Sequence, residues 1–207
     1  MKELVLYVHG KGGSARESDD YQFLFPNCDV VGLEYPVDAP QEAVRIIHAA
    51  MEETSAEYDR LILIANSIGA FFCMIAEVDD LIHEAFFISP IVDLEKLICD
   101  MLALAKSTEE ELESRGVIPT SFGEDLSWEY LCFVRNHAII WRAPTHILYG
   151  SRDNLTTFDS ILEFARNHSA QVTVMEDGEH WFHTEEQMRF LFDWISACVQ
   201  NHMKSQF

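Results

Sequence analysis

Short runs of apolar residues alternate with longer stretches of mixed polarity over roughly the first ninety residues of the chain. Short apolar runs are typical of strands buried on both faces, whereas apolar residues at every third or fourth position indicate helices. The runs predict strands at residues 4–8, 29–33, 61–65 and 84–89. Helical patterns from Ala39 to about Ser55 and from Ile68 to Val78 separate the later strands. This alternation predicts an α/β protein with a parallel, doubly wound sheet and right-handed crossovers.

The alternation stops at about residue 91, and no clear strand is predicted before about residue 141. Three helices are expected instead. Asp93 caps the first, a capping box of Ser107 and Glu110 begins a short acidic helix, and Ser127 caps the third. A stretch of roughly fifty residues is too long for a simple connector. We therefore predict a helical lid or cap insertion at about 91–141 that shapes a binding pocket, with a subdomain that has no such role as the alternative.

Strands then resume at residues 145–149 and 171–175, with a helix from Phe158 between them. A capping box of Thr184 and Gln187 begins the last helix. The pattern thus predicts a mostly parallel sheet of about six strands. The length of 207 residues fits a single domain spanning residues 1–207, interrupted only by the helical insertion.

The junction between the third strand and its helix is the most informative stretch. Its only polar residues are Asn66 and Ser67, between an apolar strand and an apolar helical segment. A strand that turns directly into a helix presents the turn residue outward, and the positions two before and two after it must be small, as Ala65 and Gly69 are. The helix that begins at Ile68 directs unpaired N–H groups toward Ser67. The pattern indicates an exposed nucleophilic serine, with a serine that only caps the helix as the alternative.

The first strand ends in a glycine-rich loop, His9 to Gly13, with the sequence H-G-K-G-G. The phosphate-binding patterns G-x-x-x-x-G-K-[ST] and G-x-G-x-x-G do not occur in it. Beside a nucleophilic serine, such a loop is typical of an oxyanion hole, in which the backbone N–H of Lys11 would approach a substrate oxygen. His9 is then expected to hold the loop by hydrogen bonds. A flexible surface turn is the alternative.

Two further candidates follow the last two predicted strands. Asp153 comes just after the fifth strand, and His180 stands beyond a glycine turn after the sixth. The carboxyl ends of parallel strands meet at one edge of the sheet, so both side chains are expected at the edge that carries Ser67. Asp153 could instead be a turn or cap aspartate, with Asp177 as the next candidate for the acid. His183 competes with His180 as the base, and the position of His180 in the loop favours it.

The composition of the chain excludes several classes of binding partner and several kinds of site. The net charge of −21 argues against binding of nucleic acid or of anionic membrane surfaces. The sequence contains no run of eighteen apolar residues, so no transmembrane helix is predicted. The five apolar residues before His9 are too few for the core of a signal peptide. The five scattered cysteines form no C-x-x-C pair, which predicts neither a disulfide framework nor a zinc site. A reduced, cytoplasmic protein is expected.

The order of Ser67, Asp153 and His180, each after a predicted strand, resembles that of the α/β-hydrolase superfamily. The resemblance covers nearly the whole chain: the H-G-K-G-G loop, the A-N-S-I-G turn, the helical insertion, and the G-S-R-D and G-E-H-W-F-H segments. Ala65 departs from the usual glycine but is also small. In particular, the chain looks like the compact bacterial serine hydrolases of carboxylesterase or thioesterase type.

The resemblance implies acyl transfer. Ser67 would be the nucleophile and His180 its general base, while Asp153 would orient the imidazole. The N–H groups of Lys11 and Ile68 would hold the oxyanion, and no metal or organic cofactor is implied. The expected partner is a small-molecule ester or thioester. A small or medium ester is favoured by the apolar insertion, a thioesterase or peptidase with the same triad is the second hypothesis, and a non-catalytic ligand-binding protein is the third.

Overall fold

The computed structural model describes residues 2–205 of the chain, and the side chains of residues 2–200. Over these residues the chain forms a 3-10 helix, eight strands and seven α-helices. The 3-10 helix is Ala15–Leu24. The strands are β1 (Glu3–Val8), β2 (Asp29–Leu33), β3 (Arg60–Asn66), β4 (Glu84–Ile88), β5 (Val117–Pro119), β6 (Asp125–Ser127), β7 (Thr145–Gly150) and β8 (Gln171–Met175). The α-helices are α1 (Pro40–Glu57), α2 (Ile68–Ile75), α3 (Leu94–Leu104), α4 (Glu109–Arg115), α5 (Trp128–Arg135), α6 (Phe158–His168) and α7 (Glu185–Ser205).

Six of the strands form one sheet in the order β2-β1-β3-β4-β7-β8, and every neighbouring pair in it is parallel. The predicted fold class, a doubly wound parallel sheet of about six strands, is confirmed. Because all six strands run in the same direction, their carboxyl ends share one edge, and the loops after β1, β3, β7 and β8 leave the sheet there.

Alternate residues of each central strand pack on opposite faces of the sheet. In β1, Val5 and Tyr7 belong to a core that includes Tyr21 of the 3-10 helix and Trp194 of α7. The intervening residues of β1 are equally buried. The strands are therefore covered on both faces, which explains why they occur in the sequence as continuous apolar runs.

Residues Asp93–Ile139 form one compact unit, and the described residues before and after them form the other. The smaller unit contains α3, α4, α5 and a hairpin of β5 and β6. Within this unit, the Arg135 guanidinium joins Glu95 of α3, at 2.7 Å, and Glu109 of α4, at 2.7 and 2.8 Å. Arg135 of α5 therefore connects the three helices of this unit through ion pairs.

The hairpin corrects the expectation that this insertion has no strands. Each of its strands is only three residues long, from Val117 and from Asp125, which is too short for an alternating pattern to emerge. The predicted capping box of Ser107 and Glu110 is also wrong. Thr108 caps α4 by accepting a hydrogen bond from the Glu111 backbone, because the helix begins one residue later than the pattern suggested.

The other helix caps agree with those predicted from the sequence. Asp93 caps α3, Ser127 caps α5, and Thr184 and Gln187 exchange hydrogen bonds before α7. Helix α2 is shorter than predicted, because Glu77 adopts a positive φ of 55° and ends it. None of the helices in the described part of the chain has both the length and the apolar character needed to cross a membrane.

Candidate active site

Ser67 occupies the turn between β3 and α2 with a φ of 53° and a ψ of −121°. Such a conformation is strained for a residue with a side chain and persists only where the surroundings fix it. Here the Ser67 N–H donates to the carbonyl oxygen of Ile88 at 2.9 Å, and its own carbonyl accepts from the N–H of Ile91 at 3.1 Å. The end of β4 and the residues just after it therefore hold the backbone of the turn through both its N–H and its carbonyl group.

The small residues around this turn have a steric purpose. A Cβ at Gly69 would lie 2.4 Å from the carbonyl oxygen of His9 and 2.9 Å from that of Val8, so the first turn of α2 can approach the end of β1 only without a side chain. Ala65 is completely buried in β3, and its methyl group is accommodated there. Alanine in place of the usual glycine is thus compatible with the turn.

Ser67, His180 and Asp153 form one chain of hydrogen bonds. The Ser67 Oγ lies 2.8 Å from His180 Nε2, and His180 Nδ1 lies 2.7 Å from Asp153 Oδ2. The Asp153 side chain is fully buried, and that of His180 is 13% exposed. The order of these contacts allows a proton to pass from the hydroxyl to the imidazole while the carboxylate holds the ring.

The second oxygen of Asp153 is fixed by the backbone. Asp153 Oδ1 accepts hydrogen bonds from the N–H groups of Leu155, at 2.8 Å, and Thr156, at 3.0 Å. The Tyr149 hydroxyl in turn donates to the carbonyl oxygen of Thr156 at 3.0 Å. Burial and then the charge of Asp153 raise the pKa of Tyr149, which keeps this hydroxyl protonated as a donor. The carboxylate therefore has one orientation, with Oδ2 directed at the histidine.

The two competing candidates lie outside this chain. His183 is exposed, stacks on the Trp181 ring at 4.4 Å, and places its Nδ1 2.7 Å from the Trp181 carbonyl oxygen. Asp177 is exposed and forms an ion pair with Arg152. Both residues thus have partners of their own, and the geometry favours His180 over His183 and Asp153 over Asp177.

The glycine-rich loop lies beside the serine. A Cβ at Gly10 would be 3.0 Å from the Cβ of Ser67, so the backbone just before Lys11 touches the turn. The Gly13 N–H donates to the Gly10 carbonyl at 3.2 Å and closes the loop. The Lys11 ammonium lies 3.2 Å from Asp38. The backbone just before Lys11 therefore lies next to the turn after which α2 begins at Ile68.

His9 supports this loop, as its place in the sequence suggested. The ring is 3% exposed, and its Nδ1 lies 2.8 Å from the Gly10 carbonyl oxygen. The Tyr35 hydroxyl donates to the His9 carbonyl at 2.6 Å, and the two rings pack at 4.6 Å. Sequence reasoning missed Tyr35, Leu155 and Thr156. A buried tyrosine and two backbone donors leave no pattern along the chain, so no sequence signal could have found them.

The ionisable side chains of this site are engaged with one another rather than grouped as metal ligands. Among the described residues, no set of three or more histidine, cysteine, aspartate or glutamate side chains is arranged to hold a metal ion. The chemistry that these groups can perform is proton transfer between Ser67 and His180, next to the backbone N–H groups of the loop after β1 and the start of α2.

No family model and no curated protein sequence matches the chain. Solved structures do. The structure of Est1E from Butyrivibrio proteoclasticus covers 98% of this chain and 89% of its own length, with a TM-score of 0.76 and 13% identity. An alpha-beta serine hydrolase homologue from Coxiella burnetii covers 96% and 85%, with a TM-score of 0.62 and 13% identity. The chain has the α/β-hydrolase fold.

A monoacylglycerol lipase from Paleococcus ferrophilus shares this α/β-hydrolase fold, with a TM-score of 0.61, 15% identity and 94% of each chain covered. Est1E has also been solved with ferulic acid bound. At identities this low, the likeness establishes the architecture alone, because folds of this kind support many reactions. The function has to be argued from the residues of this α/β-hydrolase site.

Proposed function

We propose that this protein is a serine hydrolase that cleaves small or medium carboxylic esters through an acyl-enzyme intermediate. The observation that carries the proposal is the hydrogen-bonded chain from Ser67 through His180 to Asp153, at 2.8 and 2.7 Å. The Ser67 side chain is only half-buried, so its hydroxyl can be reached from solvent.

In the first half of the reaction, His180 takes the proton of Ser67 as the Oγ attacks the ester carbonyl. Asp153 holds the ring in the tautomer that presents an unprotonated Nε2 to the serine, and it stabilises the imidazolium that forms. His180 then gives the proton to the leaving alcohol. In the second half, the same histidine takes a proton from water, which attacks the acyl-enzyme and releases the acid.

The negative charge that develops on the carbonyl oxygen needs fixed donors. The N–H groups of Ile68 and Lys11 are the candidates, because α2 begins at the serine and the loop before Lys11 touches it. Loss of one such donor typically costs about a hundred- to a thousandfold in rate.

Two comparisons favour an ester over other acyl compounds. Est1E has been solved with ferulic acid, a carboxylic acid, and a monoacylglycerol lipase has the same fold. The helical unit Asp93–Ile139 carries exposed apolar side chains, Leu104 and Phe122 among them. We extend the proposal to this unit as the lid or cap of the enzyme.

The decisive experiment is labelling with a fluorophosphonate probe, which reacts with activated serines. The wild-type protein should be labelled, and the Ser67→Ala and His180→Ala variants should not, whereas His183→Ala should keep most of the labelling. An unlabelled wild-type protein would favour a ligand-binding protein without catalysis. Equal loss in the two histidine variants would contradict the assignment of the base.

A substrate screen then separates the ester from the other acyl compounds. The wild-type protein should hydrolyse p-nitrophenyl acetate and butyrate with a higher kcat/KM than acyl-CoA thioesters or aminoacyl anilides. A preference for the thioesters or the anilides would keep the triad chemistry and replace the esterase by a thioesterase or a peptidase.

A further inference from the structure

The carboxylate of Glu17 connects the two ends of the glycine-rich loop. Its Oε2 accepts a hydrogen bond from the Tyr7 hydroxyl at 2.5 Å, and its Oε1 accepts one from the Ser14 backbone N–H at 3.1 Å. Tyr7 lies two residues before His9, where the loop begins, and Ser14 follows Gly13, where it ends. One half-buried side chain therefore holds the chain on both sides of the loop.

Tyr7 is a rigid anchor for this carboxylate. It is 1% exposed within β1 and stacks on the Tyr21 ring at 5.2 Å. Burial and then the neighbouring Tyr21 raise the pKa of Tyr7 above its ordinary value, so its hydroxyl stays protonated and donates. The phenol thereby ties Glu17 to the strand from which the loop leaves the sheet.

The 3-10 helix that carries Glu17 is itself packed on the sheet. A Cβ on Gly32, the partner of Tyr7 in β2, would overlap the carbonyl oxygen of Ala15, so the helix can begin there only because residue 32 has no side chain. The Ala15 N–H donates to Glu34 at 3.2 Å. The position of Glu17 is therefore set by the sheet rather than by the loop.

The carboxylate also packs against the loop itself. A Cβ on Gly13 would lie 2.8 Å from Glu17 Oε1 and 3.1 Å from Oε2. The Gly13 N–H donates to the Gly10 carbonyl at 3.2 Å, and a Cβ on Gly10 would lie 3.0 Å from the Cβ of Ser67. A continuous series of contacts thus runs from the carboxylate through two glycines to the nucleophile turn, and Lys11 lies between those glycines.

We propose that Glu17 is a positioning residue that fixes the glycine-rich loop, so that the Lys11 N–H is held ready for the oxyanion. This inference rests on the proposed function. A loop rich in glycine has little intrinsic preference for one conformation, and an oxyanion hole is effective only when its donors are in place before the charge develops. Glu17 supplies the restraint that the glycines lack.

Glu17 also lies in the first turn of the 3-10 helix, where its bond to the Ser14 N–H is one half of a capping box. The two roles have different consequences. A cap contributes to the free energy of unfolding, whereas a residue that positions an oxyanion donor stabilises the transition state and therefore affects kcat more than KM.

The test compares Glu17→Ala with Glu17→Gln in the full-length protein, using p-nitrophenyl acetate. Loss of a whole oxyanion donor costs about a hundred- to a thousandfold. Because the turn from Gly10 to Gly13 remains, Glu17→Ala should lower kcat about tenfold and change KM by less than about twofold. Glu17→Gln should keep kcat within about threefold of the wild type, since the amide can accept from the Ser14 N–H and donate to the Tyr7 oxygen. Asp19→Asn, an exposed residue of the same helix, is the matched control and should leave kcat unchanged.

A trifluoromethyl ketone provides a second readout, because it adds to an active serine and leaves a charged oxygen where the oxyanion forms. Its inhibition constant should rise in Glu17→Ala by the same factor as kcat/KM falls. Tyr7→Phe should lower kcat about threefold in the wild type and have no effect in Glu17→Ala, because the hydroxyl acts through the carboxylate.

An unchanged kcat in Glu17→Ala, with only the free energy of unfolding reduced, would overturn the inference and leave Glu17 as a helix cap. A rise in KM alone would overturn it as well. If Glu17→Ala does not fold, Tyr7→Phe decides by its kcat and inhibition constant. A wild-type protein that fluorophosphonate does not label would overturn the proposed function too, whereas a labelled wild type with unchanged variants would overturn this inference alone.

Discussion

Gly150 and Gly178 touch through their backbones: a Cβ on Gly150 would lie 2.4 Å from the carbonyl oxygen of Gly178. Gly150 ends β7, three residues before Asp153, and Gly178 lies two residues before His180. The Arg152 N–H donates to the same Gly178 carbonyl at 2.8 Å. The proposed acid and base thus reach each other because two loops from neighbouring strands pack without a side chain between them.

Gly150→Ala should separate these loops. The three atoms nearest to the added methyl group are backbone atoms of Gly178 and Glu179, and we expect that they cannot move without displacing Asp153 or His180. A misplacement of about 1 Å typically costs about a hundredfold in rate, so kcat/KM for p-nitrophenyl acetate should fall by roughly this factor. Steady-state kinetics measures the effect. Ser151→Ala, on the same loop, provides the control and should keep most of the activity, whereas unchanged kinetics in Gly150→Ala would contradict the close packing.

Asp153→Asn should reduce kcat by about 10⁴ without unfolding the protein. The amide oxygen can still accept the backbone N–H groups of Leu155 and Thr156, but the amide no longer stabilises an imidazolium on His180. Turnover and circular dichroism should be measured on the same preparation. Asp177→Asn is the matched control, because Asp177 pairs with Arg152 at the surface. Normal turnover in Asp153→Asn would move the acid role elsewhere.

Tyr35→Phe should weaken the support of the glycine-rich loop. It removes the hydroxyl that donates to the His9 carbonyl at 2.6 Å and leaves a buried oxygen without this donor. The free energy of unfolding should fall by about 1–2 kcal/mol, and kcat/KM should fall roughly fivefold. Urea unfolding and ester hydrolysis check both effects. In the control Tyr58→Phe, an exposed hydrogen bond to Asp29 is lost, and both quantities should change little.

The stability of the protein should depend on the ionisation of His146. Burial lowers the pKa of His146, but the hydrogen bonds and charges of Cys198 and Glu84 outweigh it and raise the pKa from 6.5 to about 9. The Arg60 guanidinium lies 3.7 Å from the second oxygen of Glu84 and adds a positive charge beside the pair of Glu84 and His146. A raised folded-state pKa stabilises the protein below the unfolded value of 6.5, and this contribution is lost as the pH rises through about 9.

Urea unfolding at about pH 6 and about pH 10 should therefore show a larger loss of stability in the wild type than in His146→Gln. The expected difference is on the order of 2 kcal/mol. Repulsion among the surface carboxylates affects both proteins alike, so the comparison isolates His146. Parallel pH profiles of the two proteins would contradict a charged His146 paired with Glu84.

Much of the architecture could be predicted because it is encoded locally. The β2 and β8 strands have the predicted bounds, 29–33 and 171–175. These two are partly buried edge strands. The central strands β1, β3 and β4 are almost wholly buried and therefore consist of apolar runs, which are visible in any short window. The β5 and β6 hairpin was missed because strands of three residues contain too few positions to show a period. Its pairing depends on contacts across the turn rather than on the pattern within either strand.

The sequence by itself determined most strands and helices, the turn at Ser67, and a small set of polar residues that follow strand ends. Each of these features depends on residues that are close together in the chain. It named Asp153 and His180 but left Asp177 and His183 as alternatives, since all four occur in similar loops. Only the tertiary structure brought His180 to within 2.8 Å of Ser67, 113 positions away in the chain. It did so by placing β3, β7 and β8 in one parallel sheet and by packing Gly150 against Gly178. Such distances arise from contacts between residues far apart in the chain, and no local sequence pattern records them.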